Sequence, residues 1–344
     1  MADESTTANP PPPISATKKS YWIGFDLGGT KMLSVAFDRE FDILARRRRK
    51  TKGREGAKAG LERIVETIYQ TLEEAAVPAD QLAGIGIGCP GLVDLDEGIV
   101  LESANLGWKN LKLRESLEEK FKCPAVVIND VDAGMYGEYR FGAAKGSRSA
   151  LGVFPGTGIG GGFVYEGKIL RGRTFSCLEV GHVQVTPRGR LCGCGRVGCL
   201  ETEASRLAIA AEAAKAVIRG EAPHLAKMVG TDVAEIRSGQ LAEAIQAGDH
   251  AVEVIVRRAA GFIGMVIGDL VNVLLPDVVV LGGGLMEAMS DLILKEAEKS
   301  AQQRVAHAFS KTLKLVPAKL GDDAAARGAA AWVARRVEEL AGAK

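Results

Sequence analysis

The sequence contains no Gly-x-x-x-x-Gly-Lys-Ser/Thr, which excludes a P-loop enzyme. Aromatic residues are scarce, at 5%, and leave few platforms on which the bases of a single strand could stack. Neither sign of charge is in excess: 44 Lys and Arg stand against 43 Asp and Glu, a formal net charge of +1. That balance argues against a broad basic face and against nucleic acid as a partner. A clean apolar run of bilayer length is also missing. The most apolar stretch, residues 260–285, is broken by Asp269, Asn272, Pro276 and Asp277, which suits a buried helix running into a buried strand. Residues 1–20 lack the apolar core of a signal peptide and read as a flexible polar tail. No membrane partner is expected, and the expected location is the cytoplasm.

Glycine, in contrast, is abundant: 42 of 344 residues, against only 12 prolines. Glycine without proline signals tight turns or close backbone approaches, not low complexity. The length suggests about two domains, large enough to bury a core without disulfides. Six cysteines are present, and three of them, Cys192, Cys194 and Cys199, crowd together downstream of His182. Soft and borderline ligands in a loop relieved by Gly193, Gly195 and Gly198 match a tetrahedral zinc site in a reducing compartment. Arg188, Arg190 and Arg196 leave a nucleic-acid zinc ribbon as the weaker alternative.

Two apolar runs separated by Gly28-Gly29 read as a β-hairpin, with a third strand over Phe41 to Lys50. Leu61, Ile64, Val65, Ile68, Leu72 and Ala75 recur at helical period. A strand over Leu82 to Gly88, a helix over Leu111 to Phe121 and a buried strand over Ala125 to Asn129 complete an α/β domain. Near Ala150 the opening pattern repeats: strand, Gly156 to Gly162 as a turn, and return strand Phe163 to Tyr165. Residues 200–275 read as mostly helical, Asp277 to Leu281 and Thr312 to Val316 as strands, and residues from Asp322 as a closing helix. Gly86-x-Gly88-x-x-Gly91 and Gly156-x-Gly158-x-x-Gly161 have Rossmann spacing, but no helical pattern follows either of them.

Glycine hairpins still bind phosphate through exposed amides, and Thr30 and Lys31 would add a hydroxyl and an ammonium. A plain type I′ turn is the alternative. Asp130 ends an apolar strand at the edge where open α/β sheets bind ligands, so it is either a general base or a helix cap. Asp132, two residues on, is expected to point away from it. Gly282-Gly283-Gly284, between strand and helix, would let a nucleotide approach a helix N-terminus, or would simply form a tight turn. The basic run Arg46 to Lys50 reads as solvated edge charge in preference to a nucleic-acid patch.

Asp26-Leu-Gly-Gly-Thr-Lys31, Gly156-Thr-Gly-Ile-Gly-Gly161, Leu178-Glu-Val-Gly-His182 and Cys192-Gly-Cys-Gly-Arg-Val-Gly-Cys199-Leu-Glu201 follow one another in this order. Together they resemble the ROK family of bacterial sugar kinases and related repressors, over residues 21–336. Asn105-Leu-Gly-Trp108 ahead of Asn129-Asp130 is most similar to the glucokinase branch. The resemblance implies an α/β, actin-like ATPase (ribonuclease H-like) fold of two α/β domains around a central cleft. The small domain would cover 21–134, with a C-terminal helix 325–344 packing back on it. The large domain would cover 135–324 and contain the zinc loop 182–199.

The same resemblance implies phosphorylation of a hexose, foremost glucose, at its 6-hydroxyl by ATP and Mg²⁺. Asp130 would be the base. Gly91, Asn105, Asn129, Asp130, Glu179, His182 and Glu201 would hold the sugar. Asp26, Gly28, Gly29, Thr30, Lys31, Gly156, Thr157, Gly158, Gly282 and Gly283 would hold ATP. His182, Cys192, Cys194 and Cys199 would hold a structural Zn²⁺ stiffening the sugar loop, with one His182 nitrogen on the metal and the other on a sugar hydroxyl. The protein would be a homodimer. Fructose, mannose or N-acetylmannosamine as the hexose, or a sugar-responsive regulator, are the alternatives. The DNA-binding helices that precede the first glycine strand in the family's repressors do not fit into residues 1–20. Phe175-Ser-Cys-Leu178 is bulkier than the small residues usual before the family's glutamate, and Asp132 stands where asparagine is common.

Overall fold

A computed structural model describes residues 20–342 of the chain. The expected tail lies outside them, apart from Ser20. The chain divides into two compact units, one running up to Val127 and resuming at Ala329, the other spanning Ile128–Gly328.

In the first unit β1 (Tyr21–Leu27), β2 (Lys31–Phe37) and β3 (Ile43–Lys50) form an antiparallel meander, and α1 (Ala57–Glu74) follows. Then come β4 (Leu82–Cys89), β5 (Leu92–Asp94), β6 (Ile99–Ser103), β7 (Trp108–Leu111), α2 (Leu113–Phe121) and β8 (Ala125–Asn129). The main sheet has the order β3-β2-β1-β4-β8, with β4 parallel to β1. Every residue of β4 is buried, as a central strand covered on both faces requires. β3, at the edge, carries the basic run exposed, and Arg47 and Arg49 reach Glu74 and Glu66 of α1. That is the arrangement of a solvated, charged sheet edge.

Sequence periodicity missed the small β5-β6-β7 sheet, because its strands are too short to alternate convincingly. Its turn signal was present. Asp94 accepts from the amides of Asp96 and Glu97, and Gly98 takes a φ of 65°. Trp108 anchors this sheet: it is 1% exposed and donates its ring N–H to the Gly53 carbonyl at 3.0 Å. Gly60 of α1 leaves the room for it, since a Cβ there would lie 1.9 Å from the indole.

The final helix joins this core through another glycine. A Cβ on Gly86 of β4 would sit 1.9 Å from the carbonyl oxygen of Ala329. Backbone cannot retreat as a flexible side chain can, so Gly86→Ala is expected to destabilise the fold by about 1–3 kcal/mol or more. The measurement is urea unfolding: a lower midpoint at an unchanged slope is expected, and an unchanged midpoint would refute the packing argument.

The second unit repeats the pattern. It contains α3 (Asp130–Phe141), β9 (Ser149–Pro155), β10 (Ile159–Tyr165), β11 (Lys168–Ile169), α4 (Leu200–Ala204), α5 (Arg206–Ile218) and α6 (Pro223–Val229). It continues through α7 (Ser238–Gln246), α8 (His250–Leu274), β12 (Val278–Leu281), α9 (Gly284–Arg304), β13 (Leu315–Pro317) and the start of α10 (Ala324–Gly342). Its sheet has the order β11-β10-β9-β12-β13. β9 pairs antiparallel with β10 and parallel with β12, as β1 does with β2 and β4. The sequence reading of a glycine hairpin in each half therefore holds. The apolar stretch over 260–285 is a helix running into a buried strand, and no helix of the described residues is long and apolar enough to cross a membrane.

Several boundaries move. The last strand begins at Leu315, not Thr312, the third strand at Ile43, not Phe41, the helix expected from Leu111 at Leu113, the closing helix at Ala324, not Asp322, and the turn expected over Gly156 to Gly162 closes by Gly158. Gly160, Gly161 and Gly162 lie inside β10, where Cβ atoms would come within 2.5 Å of Val131, 2.7 Å of Val180 and 3.0 Å of Met135. These glycines let helix α3 and the chain around Val180 pack directly onto the strand.

Candidate active site

In the first unit, strand β1 delivers Asp26 to the lip of the Gly28-Gly29-Thr30-Lys31 turn. Neither Gly28 nor Gly29 has a positive φ, so the turn is not the type I′ alternative. Gly28 is needed because its Cβ would lie 2.6 Å from the Lys31 carbonyl. The buried Thr51 locks the turn from behind. Its hydroxyl donates to the Gly28 carbonyl at 2.6 Å and its amide to the Thr30 carbonyl at 2.8 Å. Gly29, Thr30 and Lys31 are left exposed. Asn105 stands beside them, its Cβ 3.3 Å from where a Gly29 Cβ would be, at a cavity of about 580 Å³ lined also by Gly53, Arg54 and Gly107. Gly91, with φ 98°, sits against β6, where any Cβ would meet the Glu102 carbonyl at 2.4 Å.

In the second unit, the first turn of α3 gathers the acidic groups. Asn129, not Asp130, is the helix cap: its Oδ1 accepts from the amides of Val131 at 2.9 Å and Asp132 at 3.3 Å. Asp130 also accepts from the Val131 amide, at 3.0 Å. Burial pushes its carboxyl up to about 6, against the pull of the Val131 amide and its own, and the Glu179 charge pushes the same way. The structure thus brings Asn129, Asp130 and Glu179 into one electrostatic neighbourhood.

Asp132 is 2% exposed, and its carboxyl accepts from the Ser176 hydroxyl. Burial raises it to about 7, with Asp130 and Glu179 adding to the rise. The repulsion between Asp130 and Asp132 is mutual, and it raises the carboxyl that holds its proton longer, Asp132.

The second hairpin is braced from both sides. Glu201 accepts from the Ile159 amide at 3.0 Å, and a Cβ on Gly158 would strike its carboxylate at 2.3 Å. Arg206 donates its amide to the Gly156 carbonyl at 2.9 Å and its guanidinium to the Thr157 hydroxyl at 3.2 Å. No spacing in the sequence announces Arg206. Only the α4–α5 junction brings it to the turn. Gly282 and Gly283 fit under the same hairpin. Their Cβ atoms would come within 2.8 Å of Phe154 and 2.7 Å of the Pro155 carbonyl, whereas one on Gly284 would meet only the Ser238 hydroxyl, at an ordinary 3.8 Å. Close packing thus accounts for two of those three glycines.

His182, Cys192, Cys194 and Cys199 bring their ligand atoms within 4.8 Å of one another. His182 Nδ1 is 3.6 Å from Cys192 Sγ, and the Cys194 and Cys199 sulfurs are 3.7 Å apart. Zn–S bonds of about 2.3 Å place tetrahedral ligands about 3.8 Å from each other, so the donor set has the spacing and chemistry of a closed zinc site. Gly195 and Gly198, with φ 84° and 74°, give the loop its reversals.

Residues 22–336 match the model of the ROK family, and the chain belongs to that family. A glucokinase of Halalkalibacterium halodurans is 30% identical over 322 residues, covering 92% of this chain and 96% of that protein. A ROK family glucokinase of Streptomyces griseus, solved with glucose and AMPPNP, superposes with a TM-score of 0.78 at 31% identity, over 91% of this chain and 98% of its own. A ROK transcriptional regulator described as a homologue of the E. coli MLC protein superposes at 0.80 with 25% identity, over 92% of this chain and 78% of its own. The expected α/β, actin-like ATPase fold is the fold of this chain.

Proposed function

We propose that the protein is an ATP-dependent hexose kinase that phosphorylates the 6-hydroxyl, with glucose as the preferred sugar. One observation carries the reading: Asp130, at the mouth of a buried strand and beside Glu179, has a carboxyl raised to about 6. A base that titrates near the working pH is best suited to accept a proton as a hydroxyl attacks. The relatives named glucokinase, and the structure that holds glucose with an ATP analogue, support the same assignment.

Asp130 takes the 6-hydroxyl proton as that oxygen attacks the γ-phosphorus in line. Asn129 uses Oδ1 as the helix cap, and its amide nitrogen is the group offered to the sugar. Glu179, Glu201, His182, Asn105 and the Gly91 backbone orient the ring, since each carboxylate oxygen accepts two hydroxyl bonds. The two glycine turns, Gly282-Gly283, Thr30 and Lys31 hold the phosphates. Mg²⁺, a hard cation suited to oxygen ligands, would neutralise phosphate charge, and Asp26 is the residue that would hold it, through water. His182, Cys192, Cys194 and Cys199 would hold a zinc ion that stiffens the loop 182–199. With Nδ1 toward the thiols, His182 Nε2 is the nitrogen for the sugar hydroxyl, and metallation fixes its tautomer.

ADP release coupled to a dehydrogenase, assayed across a hexose panel, tests the reading. Preferential turnover of fructose, mannose or N-acetylmannosamine would move the substrate, and no turnover with any hexose would favour a regulator. For the metal, purified reduced protein is expected to hold about one zinc per chain. Cys194→Ser should lose it and weaken glucose binding more than ATP binding, by calorimetry. Metal analysis without zinc would refute the site.

A further inference from the structure

We propose that Asp132 is a positioning residue, which through Ser176 clips the loop carrying Glu179 to the helix that begins with Asp130. This deepens the kinase reading and rests on it for the role of Glu179 toward the sugar.

The loop is anchored at few points. Residues 171–176 form a tight excursion closed by a bridge between Arg171 and Ser176 and by the Gly172 amide donating to the Phe175 carbonyl at 2.9 Å. Beyond it Leu178 takes a φ of 64°, a left-handed conformation that leucine adopts only where its flanks are held. One flank is held at Val180, which packs over Gly161 of β10. The other is held at Cys177, whose thiol donates to the Leu170 carbonyl at 3.1 Å, and at Ser176, whose hydroxyl meets Asp132. Glu179 lies between these two flanks. The clip thus joins the segment carrying a sugar carboxylate to the turn carrying the base, over a side-chain contact between positions 44 residues apart.

The surroundings of Asp132 select its charge state. It is 2% exposed, and its Oδ1 has no hydrogen-bond partner among the described residues. The β10 residue beside it, Gly162, brings no charge. Asp130 on its own helix, and Glu179 and Cys177 from the loop, are the titratable groups that face it, and two of these are carboxylates. A buried anion with one unpaired oxygen and two negative neighbours is costly, and the Ser176 hydroxyl, which donates to the carboxyl and favours its charged form, offsets only part of that cost. Its ionisation above about pH 7 loads the clip with repulsion. Asparagine reproduces the neutral acid's shape and cannot ionise.

Arg171 and Arg173 are exposed on the clipped excursion, so tryptic cleavage there, mapped by mass spectrometry, reads loop release without any substrate. Ser176→Ala should speed cleavage at these two sites about fivefold or more, relative to sites elsewhere in the same digest. Asp132→Asn should match the wild type at pH 6.5. At pH 8 it should be cut more slowly than the wild type. In the kinase assay Ser176→Ala should raise the hexose KM about tenfold, with kcat and the ATP KM within about twofold. The wild-type hexose KM should climb above pH 7 while that of Asp132→Asn stays flat. Unchanged cleavage in Ser176→Ala, or the same pH course for Asp132→Asn and wild type, would overturn the clip. If the wild type phosphorylates no hexose, the kinase reading falls while the cleavage comparison still decides the clip. Normal phosphorylation with unaltered cleavage sinks the clip alone.

Discussion

Asp130→Asn is expected to lower kcat for hexose phosphorylation by on the order of 10²–10⁴ while sugar affinity changes little. The amide has the size of the carboxylate but cannot take a proton, so the loss falls on the transition state and not on ground-state binding. Helix capping does not confound the test. Asn129 provides the cap to both the Val131 and Asp132 amides, and the variant keeps an oxygen that can accept from Val131. The pH dependence carries the same signature. Because burial raises this carboxyl to about 6, the base is ionised above that pH and protonated below it. Wild-type kcat/KM should therefore fall as pH drops through about 6, and the residual activity of Asp130→Asn should lack that limb. Steady-state kinetics with a sugar-binding titration alongside decide the matter. Near wild-type turnover in the variant would reduce Asp130 to a structural residue at a helix start.

Much of this was legible in the chain because it is encoded locally. The glycine turns at Gly28-Gly29 and Gly156 to Gly158, the strand ending at Asn129 and the His182-to-Cys199 loop each depend on residues close in sequence, where period, turn chemistry and ligand spacing can be read. What was not legible depends on long-range packing. Gly160 to Gly162 look like a phosphate turn, and only the approach of α3 and Val180 shows them to be strand. The i, i+2 spacing sets Asp132 apart from Asp130 on the helix but says nothing of what covers it. Its burial follows from which way the loop at Ser176 folds, some 44 positions downstream. Arg206 reaches Thr157 across 49 positions. The β5-β6-β7 sheet, which carries Gly91 and leads to Asn105, has strands as short as three residues, below the length at which alternation speaks.

ATP turnover is expected to be slow without sugar and to rise at least about a hundredfold with glucose, in a Mg²⁺-dependent way. The glycine turns proposed to hold the phosphates supply no nucleophile, so the attacking oxygen must arrive with the substrate. Water fits the same place. It lacks the hydroxyl pairs that Glu179, Glu201 and His182 are proposed to grip, and so lacks the binding energy that orders the reacting groups. The same grip determines the product. With the ring held at its other hydroxyls, the 6-hydroxyl is the one presented to Asp130, and glucose 6-phosphate should be the only monophosphate formed. 6-Deoxyglucose keeps the ring contacts and removes the nucleophile, so it should bind, compete with glucose and not be phosphorylated. ADP release measured with and without each sugar, with chromatographic identification of the product, supplies the numbers. Equal ATP turnover with and without every hexose would contradict the kinase reading and direct attention to a regulatory sugar ligand. Phosphorylation at another hydroxyl would keep the kinase but reverse the orientation argued for the ring.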